Sequence, residues 1–269
     1  MWYTLLIIIT IIVLFPVYLL FIVGFGATHE VFRNYPPILP SVFSLQNWNV
    51  AAQNINTIIA PLTMSTETAF LVAFISLGVS IPAAYTISKL PTAPRYGFIL
   101  FLFVTQMLPE IQLAIPISAL VIRLGLYQTA LGLALAQSSI AIPMVAYILV
   151  GTFRTVPSNL SQSATIDGAS KLQAFYFMDL RLALSGIAVA FILAWLFSWD
   201  EFVFAQILLS QNPTIPPVIY KYLSRGVGTA SGPIGVADIF SIILIIPVIL
   251  VTFFLQKYLR SDVLAGALK

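Results

Sequence analysis

Six runs of roughly twenty residues carry almost no charge, and a chain built this way has no polar face to turn toward water. They cover residues 2–23, 69–88, 96–118, 131–150, 183–208 and 236–256. A helix rising about 1.5 Å per residue needs about 20 residues to cross the hydrocarbon core of a bilayer. Composition points the same way: 60% of residues are hydrophobic and 8% are charged, where soluble domains carry about 25% charged residues. In lipid the outer positions of a helix can be apolar all round. The expected fold class is all-α, a polytopic membrane protein with about six transmembrane helices.

The first run has two readings, a signal peptide or a retained anchor helix. Its length exceeds the usual apolar region of about 7–15 residues in a signal peptide, and no Lys or Arg precedes it, which favours an anchor. The chain has no cysteine, so disulfides, thiolate chemistry and Cys-ligated metals are excluded. His29 is the one histidine, which rules out a multi-histidine metal site within one chain. No cofactor and no metal are expected. The net charge of +3 comes from dispersed basic residues with no patch, so nucleic-acid binding is not indicated.

Basic residues collect in cytoplasmic loops. One set of loops holds Lys89, Arg95, Arg154, Lys171, Arg181, Lys257, Arg260 and Lys269; the other holds Arg33, Arg123, Lys221 and Arg225. Eight against four places both termini in the cytoplasm and turns the loops at 24–64 and 210–235 outward. The outer loop at 24–64 contains His29, Glu30, Arg33, Pro36, Pro37 and Pro40. The loop at 210–235, with Pro213, Pro216, Pro217, Gly226, Gly228, Gly232 and Pro233, reads as irregular, either a recognition surface or a plain connector. No basic side chain lies at the N-terminus, so downstream loops must set this topology.

Pro16, Pro82, Pro109, Pro116, Pro143 and Pro247 fall in or beside the apolar runs. Each removes a backbone donor and bends its helix. The simpler reading is ordinary kinking; the functional one is helices bent around a gated path. Ionisable groups inside a span are costly and usually face a bundle interior or a wet cavity. Gln106, Glu110, Gln112, Asp200 and Glu201 are therefore candidates to line a path. Gln106 and Glu110 are expected to share one face, a helical turn apart. Hydrogen bonding between helices needs the same residue types and is the alternative. For Asp200 and Glu201, near the outer interface, a structural or gate-closing role is favoured.

The connector at 151–182 is the most informative segment. Ser158 is placed to cap a helix beginning after Pro157, and Gly168 interrupts the helical pattern at an expected bend. Beyond it Ala169, Leu172 and Phe175 recur at spacing three and define one apolar face. Two short helices about a glycine turn would make a docking knob. From periodicity alone, an amphipathic connector lying on the membrane surface is the preferred reading.

This connector resembles the EAA loop of binding-protein-dependent ABC importer permeases. The loop's pattern is Glu-Ala-Ala, three residues, Gly, nine residues, a hydrophobic residue, one residue, and Leu-Pro. Gln162-Ser163-Ala164 stand in the Glu-Ala-Ala place, and Asp167-Gly168-Ala169 match its Asp-Gly-Ala. Met178, Asp179, Leu180 and Arg181 close the pattern, with Arg181 in place of Pro. Pro82-Ala83-Ala84-Tyr85 resembles the Ala-Ala-Tyr end of the family's second core helix, and Gln106-Met107-Leu108-Pro109 its Gln-Met-x-Pro. Trp199-Asp200-Glu201-Phe202 and the terminal Ala265-Gly266-Ala267-Leu268-Lys269 resemble motifs of the carbohydrate branch, in particular the six-span permease of maltose-type sugar transporters. The resemblance runs from about residue 65 to 269.

The resemblance implies a type I importer permease in a prokaryotic plasma membrane, forming half of a path for a mono- or oligosaccharide. It implies four kinds of partner: the lipid bilayer, a homologous but different second permease, two cytoplasmic ATPase subunits, and an extracellular solute-binding protein. The loop at about 155–176 would dock on the ATPase through Gln162, Ser163, Ala164, Asp167, Gly168 and Ala169, with Gly168 permitting close approach and Asp167 bonding at the turn. The chain then reads as one permease domain: anchor helix and outer loop at 1–64, core helices at 65–256, and a cytoplasmic tail at 257–269. It has no Gly-x-x-x-x-Gly-Lys loop, so ATP hydrolysis must come from a partner and no catalytic residues are expected. Other readings are the same machine for a polyamine or amino acid, and an ion-driven secondary transporter, although no internal repeat stands out. A membrane-embedded enzyme would need a nucleophile with its base or a set of metal ligands, and the inventory is poor.

Overall fold

The structure is a computed structural model that describes residues 2–26, 43–226 and 234–259. His29, Glu30, Arg33, Pro36, Pro37, Pro40, Gly228, Gly232, Pro233 and the tail motif at 265–269 lie outside the described residues. Among the described residues every regular element is helical. In order these are α1 (Trp2–Phe25), α2 (Gln46–Gln53), α3 (Asn56–Lys89), α4 (Thr92–Thr105), α5 (Glu110–Arg123) and α6 (Ala130–Thr155). Then come α7 (Ser158–Ile166), α8 (Lys171–Leu182, with a π turn over Phe175–Asp179), α9 (Leu184–Asp200), α10 (Val203–Leu208), α11 (Ile215–Gly226) and α12 (Ile234–Leu259).

Among the described residues four helices are long and apolar enough to cross a membrane: Tyr3–Phe25, Asn56–Lys89, Ala130–Thr155 and Gly235–Gln256. Two bent pairs also qualify, α4 with α5 across a 90° break and α8 with α9 across a 72° break, which brings the possible spans to six. The expected third span is therefore not one straight helix. Pro109 lacks an N–H and is extended at φ −61, ψ 129, and a proline disfavours helical geometry in the residue before it. Gln106 and Glu110 consequently sit on either side of the break and do not share a turn. The expected fifth span also ends early, at Asp200, before the short α10.

The chain divides into two compact units, one of residues 1–63 and 213–249 and the other of 64–212 and 250–269. In the first, Asn47 donates to the carbonyls of Val23 (3.3 Å) and Gly26 (3.2 Å), and Ser44 N–H donates to Phe25 O (2.8 Å). The last carbonyls of a helix have no partner within it, so these bonds close the end of α1. Trp48 packs on Phe25 with ring centroids 5.2 Å apart. The segment expected to be an irregular loop contains α11. Pro216 and Pro217 fit its first turn, where a missing N–H costs nothing, and its apolar face joins Ala51, Ile58, Val236, Ile239 and Phe240 in the core.

In the second unit α6 is the central helix. Leu133 and Ala136 pack with Ala114, Val121, Phe204 and Leu208, while Ala134 and Ala141 pack with Val72. Hydrophobic transfer adds little between helices in lipid, so close packing and interhelical hydrogen bonds carry the association. Gly186 of α9 lies against Thr152 of α6 so tightly that a Cβ would overlap the threonine side chain. Trp195 and Trp199 stack at 4.7 Å, and Trp195 meets Phe70 of α3 edge-on at 6.2 Å. Near Pro143, Gln106 donates to Ile140 O (3.0 Å) and Ser80 to Ile142 O (3.1 Å). Side-chain donors of this kind add partners to the backbone of a proline-containing helix in lipid.

Candidate functional site

The connector is two helices about a glycine turn. Pro157, extended at φ −63, ψ 120, takes the position before α7, so Ser158 is its first helical residue and makes no side-chain cap. The expected serine cap is absent because proline already sets the entry. At the other end Gly168 has φ +96, in the left-handed region that favours glycine. Its N–H bonds to Thr165 O (3.2 Å) and that of Ala169 to Ala164 O (2.9 Å), closing the last carbonyls of α7. Ser170 then caps α8: Gln173 N–H donates to Ser170 Oγ (3.2 Å) and Ser170 N–H to Gln173 Oε1 (2.8 Å). This reciprocal box starts α8 immediately after the turn.

Gln162, Ser163, Asp167 and Gly168 are exposed, whereas Ala164 and Ala169 are half-buried. Gln162 helps line a cavity of about 310 Å³ with Tyr85, Lys89, Ser161, Thr165, Lys171 and Ala174. Ile166 is 85% exposed and Leu172 66%. Along the expected apolar face, Leu172 is exposed and Ala169 and Phe175 are half-buried. Within α8, Ala174 and Asp179 are buried and Phe175, Leu180 and Leu182 are half-buried.

Asp179 is 1% exposed and accepts the Tyr85 hydroxyl at 2.9 Å; Lys89 Nζ stands 3.9 Å from its other oxygen. Sequence reasoning placed Asp179 in a pattern but gave it no role. Its one local signal was a carboxylate at the end of the apolar run Phe175-Tyr176-Phe177-Met178.

The candidate path residues sit at the α4–α5 break (Gln106), at the start of α5 (Glu110 and Gln112) and at the α9–α10 junction (Asp200 and Glu201). Gln106 and Gln112 are exposed, and Gln106 is used on Ile140 O. Glu110 is half-buried at the start of α5, and its buried Oε1 has no hydrogen-bond partner among the described residues. Asp200 is exposed at the end of α9. Glu201 is only 6% exposed. Its Oε1 accepts Phe204 N–H (2.6 Å), and its Oε2 accepts Ala205 N–H (3.1 Å) and the Gln137 amide (2.7 Å). Ser198 donates to the Gln137 carbonyl oxygen at 2.5 Å. Gln137 was missed in the sequence, although a lone amide deep in an apolar run is itself a signal.

The family model for the inner membrane component of binding-protein-dependent transport systems matches residues 76–264. The chain belongs to this family. The match takes in the connector, the break at Pro109 and the Glu201 cluster. Among relatives, this permease is 25% identical to the inner membrane ABC transporter permease protein YcjP of Escherichia coli K12 over 96% of its own length and 92% of that protein. It is 28% identical to the trehalose transport system permease protein SugB of Mycobacterium tuberculosis over 70% of its length and 68% of that protein. Against the trehalose/maltose transport system permease protein MalG of Thermococcus litoralis the figures are 27%, 75% and 72%. Its fold is that of a chain in a bacterial ABC transporter involved in import of the acidic polysaccharide alginate (TM-score 0.72, 19% identity, 95% of this chain, 94% of that one). The MetNI methionine ABC transporter gives a TM-score of 0.62 at 14% identity, over 78% of this chain and 97% of that one.

Proposed function

We propose that this permease forms half of the translocation path for a sugar, mono- or oligosaccharide, in an ATP-driven importer. An extracellular binding protein delivers the solute, and a homologous but different permease forms the other half. Two cytoplasmic ATPase subunits drive the cycle by docking on the connector. The observation that carries the reading is the connector itself, whose satisfied backbone holds a left-handed Gly168 between two helices and leaves Ile166 and Leu172 bare. Apolar side chains left exposed on both sides of a glycine-constrained turn suit a protein partner. The trehalose and maltose systems named among the relatives support a sugar as the cargo. The weight of Lys and Arg in the loops supports a cytoplasmic connector.

The test is uptake into proteoliposomes holding the chain with its partner permease and ATPase, supplied with the binding protein and labelled trehalose or maltose. ATP-dependent accumulation of sugar is the expected result. Accumulation of an amino acid or polyamine in place of sugar would overturn the cargo, and uptake that follows an ion gradient without ATP would overturn the machine.

A further inference from the structure

A carboxylate as buried as Asp179 is far costlier unpaired than paired, and its partners come from outside the connector. Tyr85 and Lys89 belong to the last turns of α3. The Tyr85 hydroxyl donates to Asp179 at 2.9 Å, and Lys89 lies 3.9 Å from the same carboxylate and 5.1 Å from the centre of the Tyr85 ring. The ring is gripped on its faces and edges, by Phe175 of α8 at 4.6 Å and by the buried Phe153 of α6 at 5.5 Å. Phe175 and Asp179 are the two ends of the π turn, so that turn brings both the ring contact and the hydrogen bond to Tyr85. Single π turns of this kind are frequent at functional positions.

We propose that Tyr85 and Asp179 form a strut that makes the connector move as one body with the inner ends of α3 and α6. A pull on the turn at Gly168 then reaches the membrane helices instead of bending α8 away from them. Both are positioning residues, with no contact to solute or nucleotide. The strut rests on the reading above, in which a separate ATPase pulls the connector.

The experiment counts solute molecules imported per ATP hydrolysed by the reconstituted complex. Tyr85→Phe keeps the ring and removes the donor; the ratio falls about tenfold, the scale of a hydrogen bond to a charged group, while hydrolysis continues and assembly is unchanged. Asp179→Leu falls likewise. Asp179→Asn, which keeps an oxygen for Tyr85, retains most of the ratio. The chain has no native cysteine, so spin labels at Thr86→Cys and Asn159→Cys, both exposed and neither in the docking surface, report the distance from α3 to α7. That distance stays the same with and without ATP in the parent and changes with ATP in Tyr85→Phe. A parent distance that changes with nucleotide, or an unchanged import ratio in Tyr85→Phe, overturns the strut alone. Absence of any ATP-driven import by the parent overturns the functional reading and the strut together. If Tyr85→Phe does not assemble, the parent distance decides.

Discussion

The Gln137 amide donates to Glu201 Oε2 at 2.7 Å from a position that is fully buried in α6. The same carboxylate accepts two N–H groups of the first turn of α10, a helix of six residues. A helix so short is unstable alone. Glu201 anchors it, Gln137 holds Glu201, and Ser198 in turn holds Gln137.

Gln137→Leu therefore removes a donor from Glu201 and an acceptor from Ser198 at one stroke. Stranding buried polar groups costs about 1–3 kcal/mol. The expected outcome is a fall of several degrees in the Tm of the purified protein in detergent, with α10 the first element to lose protection in hydrogen exchange. An unshifted Tm would show that the network contributes nothing to stability.

At the crossing of α6 and α9, Gly186→Leu forces a side chain into the space held by Thr152. Overpacking of this kind costs about 1–3 kcal/mol. Thr152→Ala in the same chain recovers part of the loss, because the two substitutions share one contact. Thermal unfolding of the single and double variants measures the coupling. Additive losses would place the strain elsewhere.

Gly168 differs in kind. A Cβ there meets nothing within 4 Å, so space is free and the constraint is φ +96 alone. Gly168→Val imposes strain of about 1–3 kcal/mol on the turn. Gly168→Asn is milder, since Asn tolerates positive φ better. The expected pattern is normal membrane insertion for both, loss of ATP-driven uptake in the valine variant and partial uptake in the asparagine variant. Full uptake in Gly168→Val would remove the connector's docking role.

The topology has its own test. Single cysteines at Ile166→Cys and Gln211→Cys stand at exposed positions of α7 and of the segment after α10. In intact cells a membrane-impermeant thiol reagent should modify the second and spare the first. The reverse labelling would invert the orientation drawn from the basic residues.

Local patterns in the chain carried most of the helix plan. The run at 131–150 became Ala130–Thr155, and the glycine between two short helices became a left-handed turn at Gly168, because apolar run length and glycine conformation are properties of a few adjacent residues. The proline at 109 announced a bend but not its 90° size, which depends on what α4 and α5 pack against. Ser158 looked like a cap, and Pro157 beside it had already taken that position.

The amino-acid order thus determined by itself that this chain is built of apolar, membrane-spanning helices and that a glycine turn separates two short helices in its connector, while the breaks at Pro109 and Asp200 and the helix Ile215–Gly226 came from the structure. Only the tertiary structure decided that Gln137 faces Glu201, 64 residues away, and that Tyr85 reaches Asp179, 94 residues away. The reason is physical: a helix's hydrophobicity is summed along its own sequence, whereas a buried hydrogen bond depends on the rotation and depth at which two separate helices meet.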